Sequence, residues 1–352
     1  MLKQQVTFYG FQYPHHGQRS GYTALAREMR ELCTVKSFGH PSRGCGVLHK
    51  LGLKGLSSKF PAFWFGLMER RVRKALSREG SLVHYFFPED CLRSGGDWKG
   101  CGKLAVTLHQ PLSHMKELEK DGLIPGFFEG LRSADLVILM SGAELESYRT
   151  YLPESRVESI PHGIDTSFFR PSENEKKEGS LRILTVGTWL RDYNLWAETA
   201  GLLKSHGLCA KHTVIANKAA IAEAKNTCPK GIDVEWRTGI SDLELSKAYR
   251  ESDLLFLPLK DAGANNALLE AMATGLPVVC SDLPATREYL GADGVFAVNS
   301  PEAFCNSIIE LWSDESGRRE IGANLRARAC AEFSWAAIAR QHMCLYEDIL
   351  QV

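Results

Sequence analysis

The residues of this chain that are best suited to chemistry lie between Lys260 and Glu288. A loop of small and polar residues, from Asp261 to Asn266, precedes a run of good helix formers with a single acid, Glu270. A helix N-terminus attracts anions because its first N–H groups lack partners within the helix and its dipole is positive there. Glu270 lies about one turn inside the predicted helix, where it can accept hydrogen bonds from hydroxyl groups. The stretch suits a ligand with a diphosphate and a ribose diol, such as a nucleotide sugar, although an ordinary βαβ unit with a surface glutamate also fits it.

Flanking residues indicate the elements that must position this loop. Residues 254–257 are apolar and predict a buried strand before it, and residues 277–280 predict another after the helix. The helix is predicted to begin near Asn265 and to end at Gly275, which suits a left-handed C-cap. Pro277 stops the helix from continuing. The predicted order of strand, loop, helix and strand is that of parallel strands joined by a crossover.

Two further candidate features lie in the first half of the chain. The strand predicted at residues 103–108 ends at His109, and ligands of doubly wound sheets bind beyond the carboxyl ends of strands. His109 is therefore a candidate site residue, although a histidine at a strand end can equally be structural. The loop at residues 10–21 contains three glycines, including Gly17, and resembles a phosphate or sugar cradle without matching the GxGxxG pattern.

Residues 43–78 have a distinct composition, with nine Lys or Arg residues against one acid, Glu69, and aromatic residues between them. One interpretation is a loop and a basic amphipathic helix whose aromatic residues pack on the domain. The alternative is a surface for an anionic membrane, or for an acceptor that carries lipid or phosphate. No nucleic-acid partner is expected.

Composition is typical of a globular protein: 352 residues, 44% hydrophobic and 24% charged, with a net charge of +0. Ten cysteines lack any CxxC pair, so we expect free thiols in a reducing compartment and no zinc site. The chain starts with a strand pattern rather than a signal peptide, and no apolar run is long enough to span a membrane. We therefore expect a cytoplasmic protein, either free or peripheral at the inner membrane face.

Strand and helix patterns alternate through both halves of the chain, which predicts an α/β protein with a doubly wound parallel sheet in each half. We expect a first Rossmann-like domain at residues 1–170 and a second at residues 181–332. The polar, charged stretch at residues 171–180 is typical of a linker. The final segment, residues 333–352, has the apolar spacing of a packed helix.

These motifs, in this order, resemble the GT-B glycosyltransferases, most closely the retaining group usually called family 4. They are His109 at a strand end, the junction PHGIDTSFF, Gly187 at the end of a strand, and NNALLEAMATGLPVVCSD around Glu270. The resemblance covers nearly the whole chain. It implies two Rossmann-like domains facing a cleft, with residues 333–352 crossing back to the first. It also implies transfer of a hexose-type sugar from a nucleotide-diphosphate sugar, such as a UDP- or GDP-sugar, to a glycan, lipid-linked or small-molecule acceptor.

Matched residue by residue, the resemblance assigns roles. Glu270 corresponds to the second acid of the family's E-x7-E motif and holds the ribose, and His109 lines the donor sugar near the reacting carbon. Arg191 is the only cation in the loop after Gly187 and is assigned the diphosphate, because a charged leaving group needs fixed positive charge. A solvated loop arginine is the alternative. The catalytic candidates are His109, Arg191 and Glu270, and the donor-binding candidates are Gly17, His162, Gly187, Thr188, Asn194, Asp261, Gly263, Ala264, Asn265, Asn266 and Glu270.

The chain departs from the family pattern at two places. Ala262 stands where the first acid of E-x7-E is usual, and Asp261 lies one residue earlier. Either Asp261 substitutes for that acid, or backbone groups and Asn265 hold the hexose. The usual basic pair after the glycine of the second domain is replaced by Thr188 and Asn194.

No two aspartates stand two residues apart, so the DxD metal motif of the other glycosyltransferase fold is absent, and we expect neither a metal nor a cofactor. The resemblance implies retention of configuration, with the leaving phosphate oxygen taking the acceptor proton. Two competing hypotheses are a nucleotide-sugar epimerase, which needs no acceptor, and a catalytically silent protein that binds sugar nucleotides.

Overall fold

The computed structural model describes residues 6–12, 22–39, 54–91, 98–173 and 179–351. The chain forms two compact units, one of Met1–Gly163 with Trp335–Val352 and one of Ile164–Ser334. The division falls at 163/164 rather than at 170/171, the boundary expected from the sequence. Ile164 and Phe169 are buried in the core of the second unit, and Arg326 donates hydrogen bonds to the carbonyl oxygens of Thr166 and Phe169, both at 3.0 Å.

The first unit contains a six-stranded parallel sheet in the order β2-β1-β3-β4-β5-β6. Its strands are β1 (Val6–Gln12), β2 (Thr34–Gly39), β3 (Leu82–Phe86), β4 (Lys103–Leu108), β5 (Leu136–Leu139) and β6 (Arg156–Ser159). Helices between the strands are α1 (Tyr22–Met29), α2 (Lys54–Leu76), α3 (Pro88–Cys91), α4 (Leu112–Lys120), α5 (Phe127–Leu131) and α6 (Leu145–Tyr151). Strands β3 and β5 are buried along their whole length. The sequence of β5 is wholly apolar, as expected of a buried parallel strand, whereas β3 includes the buried His84.

The second unit also contains a six-stranded parallel sheet, in the order β12-β11-β10-β7-β8-β9. Its strands are β7 (Leu181–Val186), β8 (Ala210–Ile215), β9 (Asp233–Arg237), β10 (Leu254–Leu257), β11 (Val278–Ser281) and β12 (Val295–Ala297). Its helices are α7 (Tyr193–Ser205), α8 (Lys218–Thr227), α9 (Asp242–Glu251), α10 (Asn266–Thr274), α11 (Pro284–Leu290), α12 (Pro301–Ser313) and α13 (Glu315–Glu332). Counted from β9, this is the strand order of a dinucleotide-binding Rossmann sheet. Successive strands are added on one side from β7 to β9 and on the other side from β10 to β12, so the switch point lies between β7 and β10.

Local signals set the ends of the helices that matter for the site. Asn265 caps α10 by accepting a hydrogen bond from the Ala267 amide at 3.1 Å, and Gly275 ends the helix with φ 66°. Ser241 and Glu244 form a capping box at the start of α9. The caps at Asn265 and Gly275 confirm the ends that the sequence predicts for α10. Every residue of α10 from Ala267 to Thr274 is buried, so this helix is part of the core.

The last helix, α14 (Trp335–Gln351), belongs to the first unit. Its Tyr346 hydroxyl contacts Nδ1 of the buried His84, whose Nε2 lies 2.8 Å from the Thr107 hydroxyl. Burial, with His342 and His109 nearby, lowers the pKa of His84 well below its ordinary value. The helix predicted at the end of the chain is therefore confirmed, and the contacts of the buried His84 link it to β3 and β4.

Within the residues that the structure describes, no helix is both long enough and apolar enough to span a membrane. The predicted loop at residues 43–53 and part of the linker, residues 174–178, lie outside the described residues. The basic helix predicted within residues 43–78 is present as α2.

Candidate functional site

The candidate site of the second unit lies where the loops after β7 and β10 meet, at the switch point of the sheet. The amide of Lys260 donates to the Leu190 carbonyl, and the amide of Asp192 donates to the Pro258 carbonyl, both at 3.0 Å. Arg191 and Leu259 also form an antiparallel bridge. Two loops that are far apart in the sequence are thereby joined at the carboxyl edge, where ligands of such sheets bind.

Arg191 is the residue that holds these loops in place. Its guanidinium donates from Nε to the Val186 carbonyl at 2.8 Å, from Nη1 to the Trp189 carbonyl at 2.9 Å and from Nη2 to Asn265 Oδ1 at 3.1 Å. Burial lowers the pKa of Arg191, but arginine remains charged at neutral pH. The side chain is partly buried and donates to three protein acceptors beside the start of α10, which favours a fixed arginine over a solvated one. Its assigned contact with a diphosphate stays a prediction.

Gly187 provides the space that Arg191 occupies. Its φ is 107°, and a Cβ at this position would lie 2.5 Å from Nη2 of Arg191. The Tyr193 hydroxyl also donates to the Gly187 carbonyl at 2.5 Å. A glycine is needed here both for the backbone conformation and for the approach of the guanidinium.

We predict that Gly187→Ala destabilises the second unit by about 1–3 kcal/mol and displaces Arg191. Urea unfolding measures the first effect, and titration with nucleotide sugars measures the expected loss of affinity. Gly207→Ala is the matched control, since Gly207 has φ 77° but a Cβ there meets nothing within 4 Å. A Gly187→Ala variant that binds nucleotide sugars as tightly as the Gly207→Ala variant would contradict this role for Gly187.

Glu270 is a buried carboxylate on α10, with 5% of its surface exposed. The hydroxyl of Tyr249 on α9 donates to Glu270 Oε2 at 2.7 Å. Burial raises the pKa of Glu270 to about 7, although the Tyr249 hydrogen bond and the charge of Arg191 oppose this shift. A carboxyl that is half ionised near neutral pH and lies one turn from a helix N-terminus is unusual for a purely structural glutamate.

The loop between β10 and α10 presents its backbone at the same place. Gly263 and Ala264 are partly exposed, and within the described residues their amides donate to no protein acceptor. A Cβ built on Gly263 meets no atom within 4 Å, so the space in front of it is open. These amides and the N-terminus of α10 lie where the sequence predicts an anion site, and their N–H groups suit that role. Binding of an anion there stays a prediction.

The acid of the loop is differently placed. Asp261 is exposed, and its Oδ1 accepts a hydrogen bond from the Ala262 amide at 2.7 Å. Ala262 itself packs against the core of the unit. Asn266 begins α10 with an exposed side chain. The prediction that Asp261 substitutes for the missing acid stays untested, and the observed bond assigns its carboxylate a role in the turn of the loop.

Thr188 and Asn194 replace the expected basic residues without providing charge. The Thr188 hydroxyl accepts a hydrogen bond from the Asn217 amide at 3.1 Å, which ties the loop to the start of α8. Asn194 is exposed near the start of α7. In the described part of this loop, the positive charge therefore comes from Arg191.

In the first unit, His109 follows β4 as predicted. Its ring stacks on Phe87, with centroids 4.1 Å apart and planes inclined by 12°. Oε1 of Glu89 accepts a hydrogen bond from the His109 amide at 2.5 Å and lies 3.4 Å from Nδ1 of the ring. Sequence reasoning did not single out Glu89, although it follows a strand end just as His109 does.

Two other predicted residues of the first half are placed differently. His162 is buried, and its Nδ1 contacts the Gly163 carbonyl at 2.7 Å. Its ring packs edge-on against Trp335, with centroids 4.9 Å apart. These contacts assign His162 a structural role in its unit, and its predicted contact with a donor stays untested. Gly17 lies outside the described residues.

Comparison with known proteins agrees with this architecture. Residues 182–314 match the family described as Glycosyl transferases group 1. The MMP alpha-(1->4)-mannosyltransferase of Mycolicibacterium hassiacum is 25% identical over 269 residues, which are 70% of this chain and 66% of that protein. The chain thus spans just under two thirds of the length of that relative.

Solved structures give the same result for the fold. Sucrose-phosphate synthase from Thermosynechococcus elongatus matches with a TM-score of 0.68 and 18% identity, covering 99% of this chain and 100% of the other. A glycosyltransferase from Rickettsia africae matches with a TM-score of 0.66 and 15% identity, covering 99% of both chains. The predicted GT-B fold and the resemblance to GT-B glycosyltransferases are confirmed.

Proposed function

We propose that this chain is a retaining glycosyltransferase that moves a hexose-type sugar from a nucleotide-diphosphate sugar to an acceptor. The observation that carries the proposal is the switch point of the second unit. There a partly buried, fixed guanidinium, backbone amides at a helix N-terminus and a buried carboxylate converge. Together they offer positive charge for a diphosphate and a hydrogen-bond acceptor for a sugar diol.

The diphosphate binds the amides of Gly263 and Ala264 and the N-terminus of α10. Negative charge grows on it as the bond to the anomeric carbon breaks, so groups fixed before the reaction stabilise the transition state. Arg191 uses three of its five N–H donors within the protein and keeps its charge beside this position.

Glu270 binds the ribose by accepting hydrogen bonds from its hydroxyls. A carboxylate accepts such bonds more strongly than a neutral acid does, so binding of the donor favours ionised Glu270. His109 in the first unit remains the candidate for contact with the donor sugar, as the family resemblance implies.

The proposal needs no metal, since the helix N-terminus and Arg191 provide the positive charge. Among the described residues, no group of three or more His, Cys, Asp or Glu side chains could hold a metal ion. Transfer that is insensitive to EDTA is the expected result.

A catalytically silent sugar-nucleotide-binding protein is the second candidate. It is favoured by Ala262, Thr188 and Asn194, which stand where the family usually has charged residues. A panel of UDP- and GDP-sugars tested by thermal shift, followed by assay of nucleoside diphosphate release with and without acceptors, separates the candidates. Stabilisation without release favours the silent protein, release only with acceptor favours the transferase, and a changed sugar without acceptor favours an epimerase.

The acceptor side includes the basic helix α2. Arg70, Arg71 and Lys74 are exposed on it, and Phe63 is 68% exposed. We predict peripheral binding to vesicles that contain acidic phospholipid, since clustered basic side chains are attracted to such surfaces over a short, salt-dependent range.

Co-sedimentation with acidic and with neutral vesicles measures this binding. It should be lost with neutral lipid, at high salt and in the double variant Arg70→Gln/Lys74→Gln. Arg73 is kept in this variant because its guanidinium lies 4.2 Å from the Trp98 ring. Equal sedimentation of the variant and the unchanged protein would assign the helix a purely structural role.

A further inference from the structure

The ends of β3 and β4 bring an acid, an aromatic ring and a histidine together in the first unit. These two strands are paired in parallel, with Phe86 opposite Thr107. Glu89 and His109 follow the two strand ends, so their loops leave the same edge of the sheet. Their side chains are nearly buried, with 11% and 14% exposed.

The turn after β3 adopts a conformation that costs energy. Phe87 has φ 63°, which is rare for a residue with a bulky side chain. Such a conformation persists only when its surroundings hold it, and it is often found at functional sites. Here the ring of Phe87 lies flat on His109, and Pro88 then starts α3, which carries Glu89.

The carboxylate of Glu89 contacts His109 at two points. Oε1 accepts the backbone N–H of His109 at 2.5 Å and lies 3.4 Å from Nδ1 of the ring. A carboxylate beside Nδ1 favours the tautomer with its proton there, which leaves Nε2 as the acceptor of the neutral ring. The stacked Phe87 ring limits the tilt of the His109 ring. The Glu89 carboxylate limits rotation of the His109 ring and favours the proton on Nδ1.

We propose that Glu89 is a positioning residue that holds His109 in one ring orientation and one tautomer for its contact with the substrate. The expected effect on catalysis rests on the proposed function, whereas the expected effect on the orientation and tautomer of the His109 ring does not. Carboxylates play the same part towards histidines that bind metals, where their loss typically lowers metal affinity or activity by about 10–100-fold.

Among the described residues, His84 and Tyr148 are two further ionisable groups near this pair. The pKa of His84 is lowered by burial and by the nearby His342 and His109, and the pKa of Tyr148 is raised by burial and by Glu144 and Glu89. Neither group replaces the contact with Nδ1, because His84 bonds to Tyr346 and Thr107, and the Tyr148 hydroxyl donates to the Gln110 carbonyl.

The test compares Glu89→Gln with the unchanged protein. Glutamine can still accept the His109 N–H, so the turn is retained while the charge is removed. Glu144→Gln is the control, because Glu144 also accepts a backbone N–H, from Leu112 at 3.1 Å, in the same unit. Its substitution removes one carboxylate of the unit and leaves the Glu89 contact with Nδ1 in place.

Nitrogen NMR of the histidine rings, with His109 assigned by its loss in His109→Asn, reads the tautomer directly. In the unchanged protein and in Glu144→Gln, the His109 proton should reside on Nδ1, whereas Glu89→Gln should give a mixture of tautomers. Identical His109 signals in all three proteins would overturn the inference. The NMR result decides it even if no transfer activity is found.

With an active donor and acceptor pair, kcat of Glu89→Gln should fall about 10-fold or more with little change in donor KM. The double variant Glu89→Gln/His109→Asn should be no slower than His109→Asn alone, since both changes remove one function. Additive losses would assign Glu89 an effect that does not act through His109.

Discussion

Glu270→Gln is expected to weaken nucleotide-sugar binding by about 100-fold and to stabilise the protein above pH 7. Two hydroxyl hydrogen bonds to a carboxylate are worth roughly 3 kcal/mol in total, and that energy corresponds to the loss of affinity. The stability effect has the opposite sign because a buried carboxylate is retained at a cost to folding.

The sign of the stability effect follows from the pKa of Glu270. Its ordinary value is 4.5, and burial raises the pKa to about 7 in the folded chain. Between these values the folded state keeps a proton that the unfolded state has lost, so stability falls as pH rises from 4.5 to about 7. Above that range, the free energy of unfolding is lower by about 3 kcal/mol because of this carboxylate. Glu270→Gln should recover most of this free energy, less the part lost because glutamine accepts a weaker hydrogen bond from Tyr249.

Urea unfolding at several pH values measures this difference, and calorimetric titration with intact nucleotide sugars measures affinity. Affinity of the unchanged protein should rise as pH increases through 7, since the donor prefers ionised Glu270. Glu251→Gln on the exposed end of α9 is the control. If Glu270→Gln and Glu251→Gln bound the donor with equal affinity, Glu270 would not contact the donor.

Arg191→Met is expected to lower kcat/KM by about 1,000-fold, because it removes the fixed positive charge beside the leaving diphosphate. It also removes the guanidinium donors to the carbonyl oxygens of Val186 and Trp189, and Asn265 Oδ1 keeps only its bond from the Ala267 amide. Part of the effect is therefore a loosened loop, and a lower unfolding temperature should accompany it. Arg191→Lys keeps the charge and should retain intermediate activity.

Arg182→Met provides the matched control for lost stability. Arg182 is partly buried at the other end of β7 and bonds to Asp253 at 2.8 Å, so its loss also costs folding free energy. Its kcat/KM should stay near that of the unchanged protein. Activity that falls to the same extent in both variants would mean that Arg191 acts only through stability.

Sequence patterns predicted the elements of this fold because their signals are local. An unbroken apolar run marked β10, and Gly275 marked the end of α10 through its left-handed conformation. The boundary between the units was placed too late, because the polar stretch after Phe169 suggested a linker. Burial of Ile164 and Phe169 with the second core is a tertiary effect that composition does not show.

The candidate site was predicted in part. His109, Glu270 and the loop before α10 followed from strand ends and helix starts, which are readable along the chain. The bond between Arg191 and Asn265 joins residues far apart in sequence, and the partner of Glu270, Tyr249, comes from another helix. Glu89 was missed because its importance comes from its contact with His109, which only the pairing of β3 and β4 creates.

The most direct measurement is nucleoside diphosphate release from a panel of UDP- and GDP-hexoses, with and without an acceptor mixture, for the unchanged chain and Glu270→Ala. The proposal predicts release from one donor class that depends on acceptor, persists in EDTA and is lost in Glu270→Ala. Release that is undiminished in Glu270→Ala, or donor binding without turnover on the whole panel, would contradict it.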